Sequence, residues 1–89
     1  MSICYVYILR CSNGGLYTGS TRFLEYRIEQ HNKGVGSWYT RRNRPVVLVY
    51  YERFPNIKLA FDMEHRIKGF NRRKKNILIK SRRNCLNQK

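Results

Sequence analysis

The stretch from Tyr5 to Gly34, YVYILRCSNGGLYTGSTRFLEYRIEQHNKG, leaves this chain few choices of fold. It opens with alternation: Tyr5, Tyr7 and Leu9 point one way from an extended backbone, Val6 and Ile8 the other. Asn13-Gly14 supplies the positive backbone angles of a tight hairpin, and Gly15 loosens its exit. Leu16-Tyr17-Thr18 then predicts a short second strand that stops at Gly19. Such a hairpin carries Tyr7 and Tyr17 at neighbouring positions on one small sheet, in a register that a buried face would hold.

A helix follows. Ser20 or Thr21 is the expected N-cap for a span of Phe23 to Asn32, and Gly34 suits the left-handed residue that ends it. Leu24, Arg27, Ile28 and His31 fall at i, i+3, i+4 and i+7 and share one face. Two of those four are not apolar. Arg27 and His31 are therefore expected at the edge of the core, aimed across the sheet.

Next comes GVGSWYTRRNRP, read as a loop that mixes three arginines with Trp38 and Tyr39. That mixture suits contact with phosphates and bases, and a long connection whose aromatics fold back on the core fits it equally. Val46 to Tyr51 is β-branched and aromatic and reads as the best-buried strand. After a turn at Phe54-Pro55-Asn56, a second helix is predicted from Ile57 to Lys68, closed by Gly69. Its inner stripe reads Ile57, Ala60, Phe61, Glu64 and Ile67. A carboxylate within an apolar stripe must be paired, bound to a metal, or neutralised by a shifted pKa. Asp62 belongs to another side of this helix and reads as solvated. A short third helix carries Ile77, Leu78 and Ile79 as packing residues, and the last few residues read as frayed.

Charge narrows the partners. In 89 residues there are 19 lysines and arginines against 5 acidic residues, a net charge of +14 whose self-repulsion opposes folding. The economical explanation is a polyanion, most often nucleic acid. Lys33, Arg41, Arg42 and Arg44, with the run Arg72, Arg73, Lys74 and Lys75, are the candidate phosphate contacts. A membrane surface is the weaker reading, since no lipidation motif or long apolar run is visible. The first residues, MSICYVYIL, lack the positive flank of a signal peptide, so the cytoplasm is the expected compartment. Cys4, Cys11 and Cys85 match no zinc spacing. Cys4 and Cys11 bracket one strand and would lie roughly 23 Å apart at about 3.3 Å per residue, so reduced structural thiols are expected. An apolar content of 42% supports one small globular domain over residues 1–89.

The outliers spell a reaction when collected: Tyr7 and Tyr17 on the hairpin, Arg27 and His31 on the first helix, Glu64 on the second. Tyrosine can act as a base or orient water, arginine suits a charged phosphate in flight, and one glutamate with waters can hold magnesium. The set fits phosphodiester hydrolysis, and neither a Ser-His-Asp triad nor a glycine-rich phosphate loop is present. Each member also has a plainer role as a core aromatic or a structural histidine. An Arg27–Glu64 buried pair would account for both charged anomalies without any activity.

YVY at Tyr5–Tyr7 followed by YTG at Tyr17–Gly19 resembles the paired signature of the GIY-YIG nuclease superfamily. Arg27, His31, HNKG and Glu64 continue the likeness in order, and the YTR loop and the AFDMEHRIK helix are similar to its small stand-alone UPF0213-type branch. Tyr5 stands where the signature has its first glycine and Thr18 where it has isoleucine. The resemblance implies an α+β domain, a small three-stranded antiparallel sheet flanked by about three helices. It implies an endonuclease with one divalent metal, Mg2+ or Mn2+, held by Glu64, acting on nucleic acid, DNA before RNA, in repair or recombination. Tyr17 would be the base or water-orienting group with Tyr7 in support, Arg27 would stabilise the pentavalent phosphate, and His31 would orient a tyrosine or relay a proton. Asn76 and Asn84 are the candidates for the late asparagine that many members use. The competing reading is a nucleic-acid-binding module that keeps the fold without the activity.

Overall fold

The computed structural model describes residues 3–88. Three strands, β1 (Cys4–Arg10), β2 (Leu16–Thr21) and β3 (Val47–Phe54), form one antiparallel sheet in the order β2-β1-β3. Four helices pack around it: α1 (Leu24–Lys33), α2 (Trp38–Arg42), α3 (Ile57–Lys68) and α4 (Arg72–Lys80). A 3-10 turn over Cys85–Asn87 follows, and the expectation of a frayed end falls in part on Lys89, outside the described residues. The architecture is α+β, as the sequence implied.

The alternation read from β1 is real, but both of its faces are buried. Val6 and Ile8 pack with Tyr50 and with Ala60, Met63 and Ile67 of α3 and Leu78 of α4. Tyr7 and Leu9 face the other way, among Cys11, Val46 and the flanks of Leu24, Ile28 and Tyr39. The best-buried strand is therefore β1, in the middle of the sheet. β3 is an edge strand in which only Tyr50 is fully buried. Removing Val6, Ile8 and Leu9 from water contributes roughly 1.5–3 kcal/mol each, which fixes the register on which the site depends.

Several local expectations change in the structure. The chain reverses over Cys11–Gly15, with Gly14 at φ 84 and the Cys11 amide donating to the Gly15 carbonyl. β2 does not stop at Gly19 but runs through it to Thr21, so Ser20 and Thr21 are strand residues and neither caps α1. Phe23 takes the N-cap position without a side-chain bond, and Thr21 Oγ1 instead accepts from the Phe23 amide. Gly34 ends α1 in the left-handed conformation at φ 86, as expected.

The arginine-rich segment read as a loop contains α2. Ser37 Oγ accepts from the Thr40 amide and Thr40 Oγ1 from the Ser37 amide, a reciprocal cap that a Ser-x-x-Thr spacing conceals. In α3 the inner stripe is Ala60, Met63 and Ile67, while Phe61 is 57% exposed. The helix is turned so that Met63 replaces Phe61 against the sheet, which puts Glu64 at the margin of the stripe and not in its middle.

Candidate active site

The site lies at the β2 edge of the sheet, where α1 approaches one face and α3 the other. Tyr7, Tyr17, Arg27, His31 and Glu64 line one cleft of about 250 Å³, together with Gly19, Ser20, Gly36 and Phe61. All five outliers of the sequence converge there. Register explains how the strands do it: Tyr7 stands opposite Gly19 and Leu9 opposite Tyr17, so the two tyrosines are diagonal neighbours on one face. Ser20 alternates to the opposite face, where its hydroxyl meets α3.

Two glycines open the space. A Cβ at Gly19 would lie 2.5 Å from Tyr7 Oη, so the Tyr7 ring extends to the sheet edge only across a bare backbone. A Cβ at Gly36 would lie 2.2 Å from His31 Nδ1, so the chain after α1 can close over the imidazole only as glycine.

His31 is fully buried, not at the core's edge, and both of its nitrogens are engaged. Nε2 meets Tyr7 Oη at 3.0 Å and Nδ1 meets Thr40 Oγ1 at 2.7 Å. Thr40 Oγ1 in turn donates to the Ser37 carbonyl at 3.2 Å. With that proton committed, the network assigns Nδ1–H as donor to Thr40 and Nε2 as acceptor from the Tyr7 hydroxyl. Burial, and secondarily the positive charge of Arg27, hold the imidazole below its ordinary pKa, so the ring is neutral at pH 7. Burial also pushes the Tyr7 phenol well above its ordinary range, with the Tyr17 charge adding to this and Arg27 opposing it. Tyr7 is thus a protonated donor tied to His31.

Tyr17 is placed differently. It is half-buried, its ring meets the His31 ring edge-on at 5.1 Å between centroids, and its hydroxyl has no hydrogen-bond partner among the described residues. Arg27 is half-buried on the same wall, and no ion pair joins it to Glu64. The Arg27–Glu64 pair that would have explained both charges is absent, because Glu64 is committed elsewhere. Its Oε1 accepts from Ser20 Oγ at 2.5 Å, and its Oε2 pairs with Lys68 Nζ at 2.8 Å, one helical turn along α3. That hydrogen bond raises the Lys68 pKa.

Glu64 is the residue able to hold a metal here. Its carboxylate is a hard oxygen donor, and an ion held there would draw its remaining ligands from water and phosphate. Among the described residues no three His, Cys, Asp or Glu side chains cluster, so the donor set does not fit a protein-caged zinc, and an ion here would be held mainly by water.

The basic candidates lie outside the cleft. Arg41, Arg42 and Arg44 surround an open depression with Asn32 and Pro45, and Arg42 stacks on Trp38, which is 71% exposed. Tyr39 folds back toward the core and Trp38 does not, so the two readings of that segment divide between its aromatics. Lys33 pairs with Glu29 at 3.8 Å on the outer face of α1. Arg72, Arg73 and Lys74 are exposed in the first turn of α4, and burial beside Arg72 lowers the Lys75 pKa. Neither late asparagine reaches the cleft. Asn76 is exposed, and Asn84 is buried with its amide spent on the Val49 and Ile79 carbonyls at 2.8 Å each.

The sequence did not point to Ser20, Thr40 or Lys68 as site residues. Lys68 was legible as an i+4 partner of Glu64. Ser20 was not, since 44 residues separate it from the carboxylate it holds.

The profile of the GIY-YIG catalytic domain matches residues 3–76, which covers all five cleft residues. UPF0213 proteins of Staphylococcus aureus strains Mu3 and MW2 are each 46% identical over 78 residues, covering 88% of this chain and 95% of theirs. The solution NMR structure of the UPF0213 protein BH0048 from Bacillus halodurans superposes with a TM-score of 0.57 at 42% identity, over 86% of this chain and 82% of that one. The chain belongs to the GIY-YIG nuclease family, with UPF0213 proteins as its relatives.

Proposed function

We propose that this protein is a metal-dependent endonuclease that hydrolyses nucleic-acid phosphodiesters, DNA in preference to RNA. One observation carries the reading: Tyr7, Tyr17, Arg27, His31 and Glu64, from β1, β2, α1 and α3, meet in a single cleft. Tyr17 is the group that orients the attacking water or takes its proton, since Tyr7 is already bonded to His31 and is hard to ionise. The Tyr7–His31–Thr40 chain fixes the imidazole against which the edge of the Tyr17 ring rests. The water oxygen bonds to phosphorus as the bond to the leaving oxygen breaks, the water's proton passing by way of Tyr17 and solvent to the leaving oxygen, and the planar Arg27 guanidinium takes up the charge that gathers on the pentavalent phosphate. Glu64 holds the divalent ion, which supplies Lewis-acid stabilisation of the phosphate oxygens when bound.

The exposed cations supply affinity. In α4 four positive side chains occupy the end of the helix that already carries the positive pole, an arrangement a backbone phosphate would relieve. Arg41, Arg42 and Arg44 with the exposed Trp38 offer a second contact surface for phosphates and bases, and Lys33 a further one. Cys4, Cys11 and Cys85 are free thiols, which fits the reducing environment of the cytoplasm. No helix among the described residues is long and apolar enough to cross a membrane.

One observation favours binding without cleavage: both Glu64 oxygens already have protein partners. A panel of labelled single strands, duplexes, flaps and junctions decides, run with magnesium, manganese or chelator beside the Glu64→Ala protein. Metal-dependent cutting that disappears in the variant while binding remains is the expected result. Binding without cutting by the wild type, across the panel and both metals, would sink the nuclease reading.

A further inference from the structure

The two partners of Glu64 are not equivalent. Ser20 is anchored in β2, half-buried, and grips Oε1 at 2.5 Å through a short side chain on a paired strand. Lys68 reaches Oε2 at 2.8 Å from the end of a four-carbon stem, and its side chain is 54% exposed against 17% for Glu64. The Ser20 bond keeps the carboxylate from rotating to present a different oxygen. Oε1 keeps a second lone pair beside that bond, so a cation arriving at Glu64 either uses it, one carboxylate's width from the Lys68 ammonium, or takes Oε2, where the ammonium already stands. Two cations on one carboxylate repel each other in either case, and the flexible, half-exposed lysine is the one free to move.

We propose that Lys68 is a resting counter-ion of Glu64 that competes with a divalent ion for the carboxylate and gives way when the ion binds. The inference rests on the reading of Glu64 as the metal-holding residue and extends it to a residue outside the five. Lys68 is a positioning residue here: it keeps the carboxylate charged and aimed in the metal-free protein, and it weakens metal binding by competition. The coupling is reciprocal, so whatever strengthens the Lys68–Glu64 pair weakens the metal by the same factor.

The test is direct Mn2+ binding to the full chain, read as loss of the free-ion electron paramagnetic resonance signal. Lys68→Ala and Lys68→Met should each tighten Mn2+ by about 2- to 5-fold, the span expected when a half-exposed ion pair is removed. Lys68→Met keeps the stem, so agreement between the two variants excludes a packing effect, and a thermal melt of each verifies folding. Glu64→Gln should abolish the site in either background. Equal or weaker Mn2+ binding in both Lys68 variants, with Glu64-dependent binding and cleavage intact, overturns the role of Lys68 and leaves the nuclease reading standing. No Glu64-dependent Mn2+ binding in any of these proteins overturns both.

Discussion

The Tyr7 ring crosses the sheet directly over Gly19, so closely that a Cβ at residue 19 would lie 2.5 Å from the phenol oxygen and 2.7 Å from Cζ. Gly19→Ala must therefore push the ring aside, and with it the 3.0 Å bond to His31 Nε2. We expect a loss of about 1–3 kcal/mol, the usual cost of overpacking a filled site. Cleavage should fall further than stability does. Chemical denaturation and single-turnover cleavage, measured side by side, check this; a variant as stable and as active as wild type would refute the contact.

His31 ties folding to pH in a defined direction. Its pKa lies below the ordinary 6.5, through burial first and Arg27 second. Between the folded and unfolded pKa values the unfolded chain binds the extra proton, so stability rises with pH there. The contribution is complete above about pH 6.5 and is lost as pH falls through the folded value. His31→Gln should flatten that acid limb. Arg27→Gln, by removing the repelling charge, should shrink it. Urea unfolding at about pH 7.5 and about pH 5 for the three proteins tests the sign. A steeper limb in Arg27→Gln would contradict the assigned cause.

Thr18 sits in β2 opposite Ile8, where the family signature has isoleucine. Its hydroxyl is buried and has no hydrogen-bond partner among the described residues. An unsatisfied buried hydroxyl is a standing cost, so Thr18→Val should stabilise the fold by about 1 kcal/mol without altering cleavage. A rise in denaturation midpoint at unchanged slope is the expected signature. Destabilisation would mean that the hydroxyl is bonded in solution.

Asn84 holds the C-terminal turn to the sheet. It donates to the Val49 and Ile79 carbonyls and accepts from the Leu86 and Tyr51 amides at 3.0 and 3.3 Å. Asn84→Ala should cost about 2–3 kcal/mol, since it strands several buried backbone groups at once. Cleavage per folded molecule should not change, because Asn84 does not line the cleft. A drop in cleavage at full folding would restore it as a site residue.

Much of this protein was determined locally, and local determination is what a sequence displays. The alternation of Tyr5 to Leu9, the Gly34 cap, and the extent of α3 from Ile57 to Lys68 depend on neighbours a few residues away. Arg27, His31 and Glu64 stood out for a related reason: each is a polar or charged residue on a helix stripe that is otherwise apolar. Tertiary structure decided the rest. Phe61 and Met63 lie on the same helix within two positions, and only packing against the sheet selected Met63 for the core. The short helix α2 forms around a cap that also receives His31, so its stability and the imidazole's tautomer are one problem. Glu64 shows the division most plainly. Its helix position was readable, but its hydroxyl partner lies on β2, 44 residues earlier. Such a bond is created when the sheet edge and α3 close on each other, and spacing along the chain carries no trace of it.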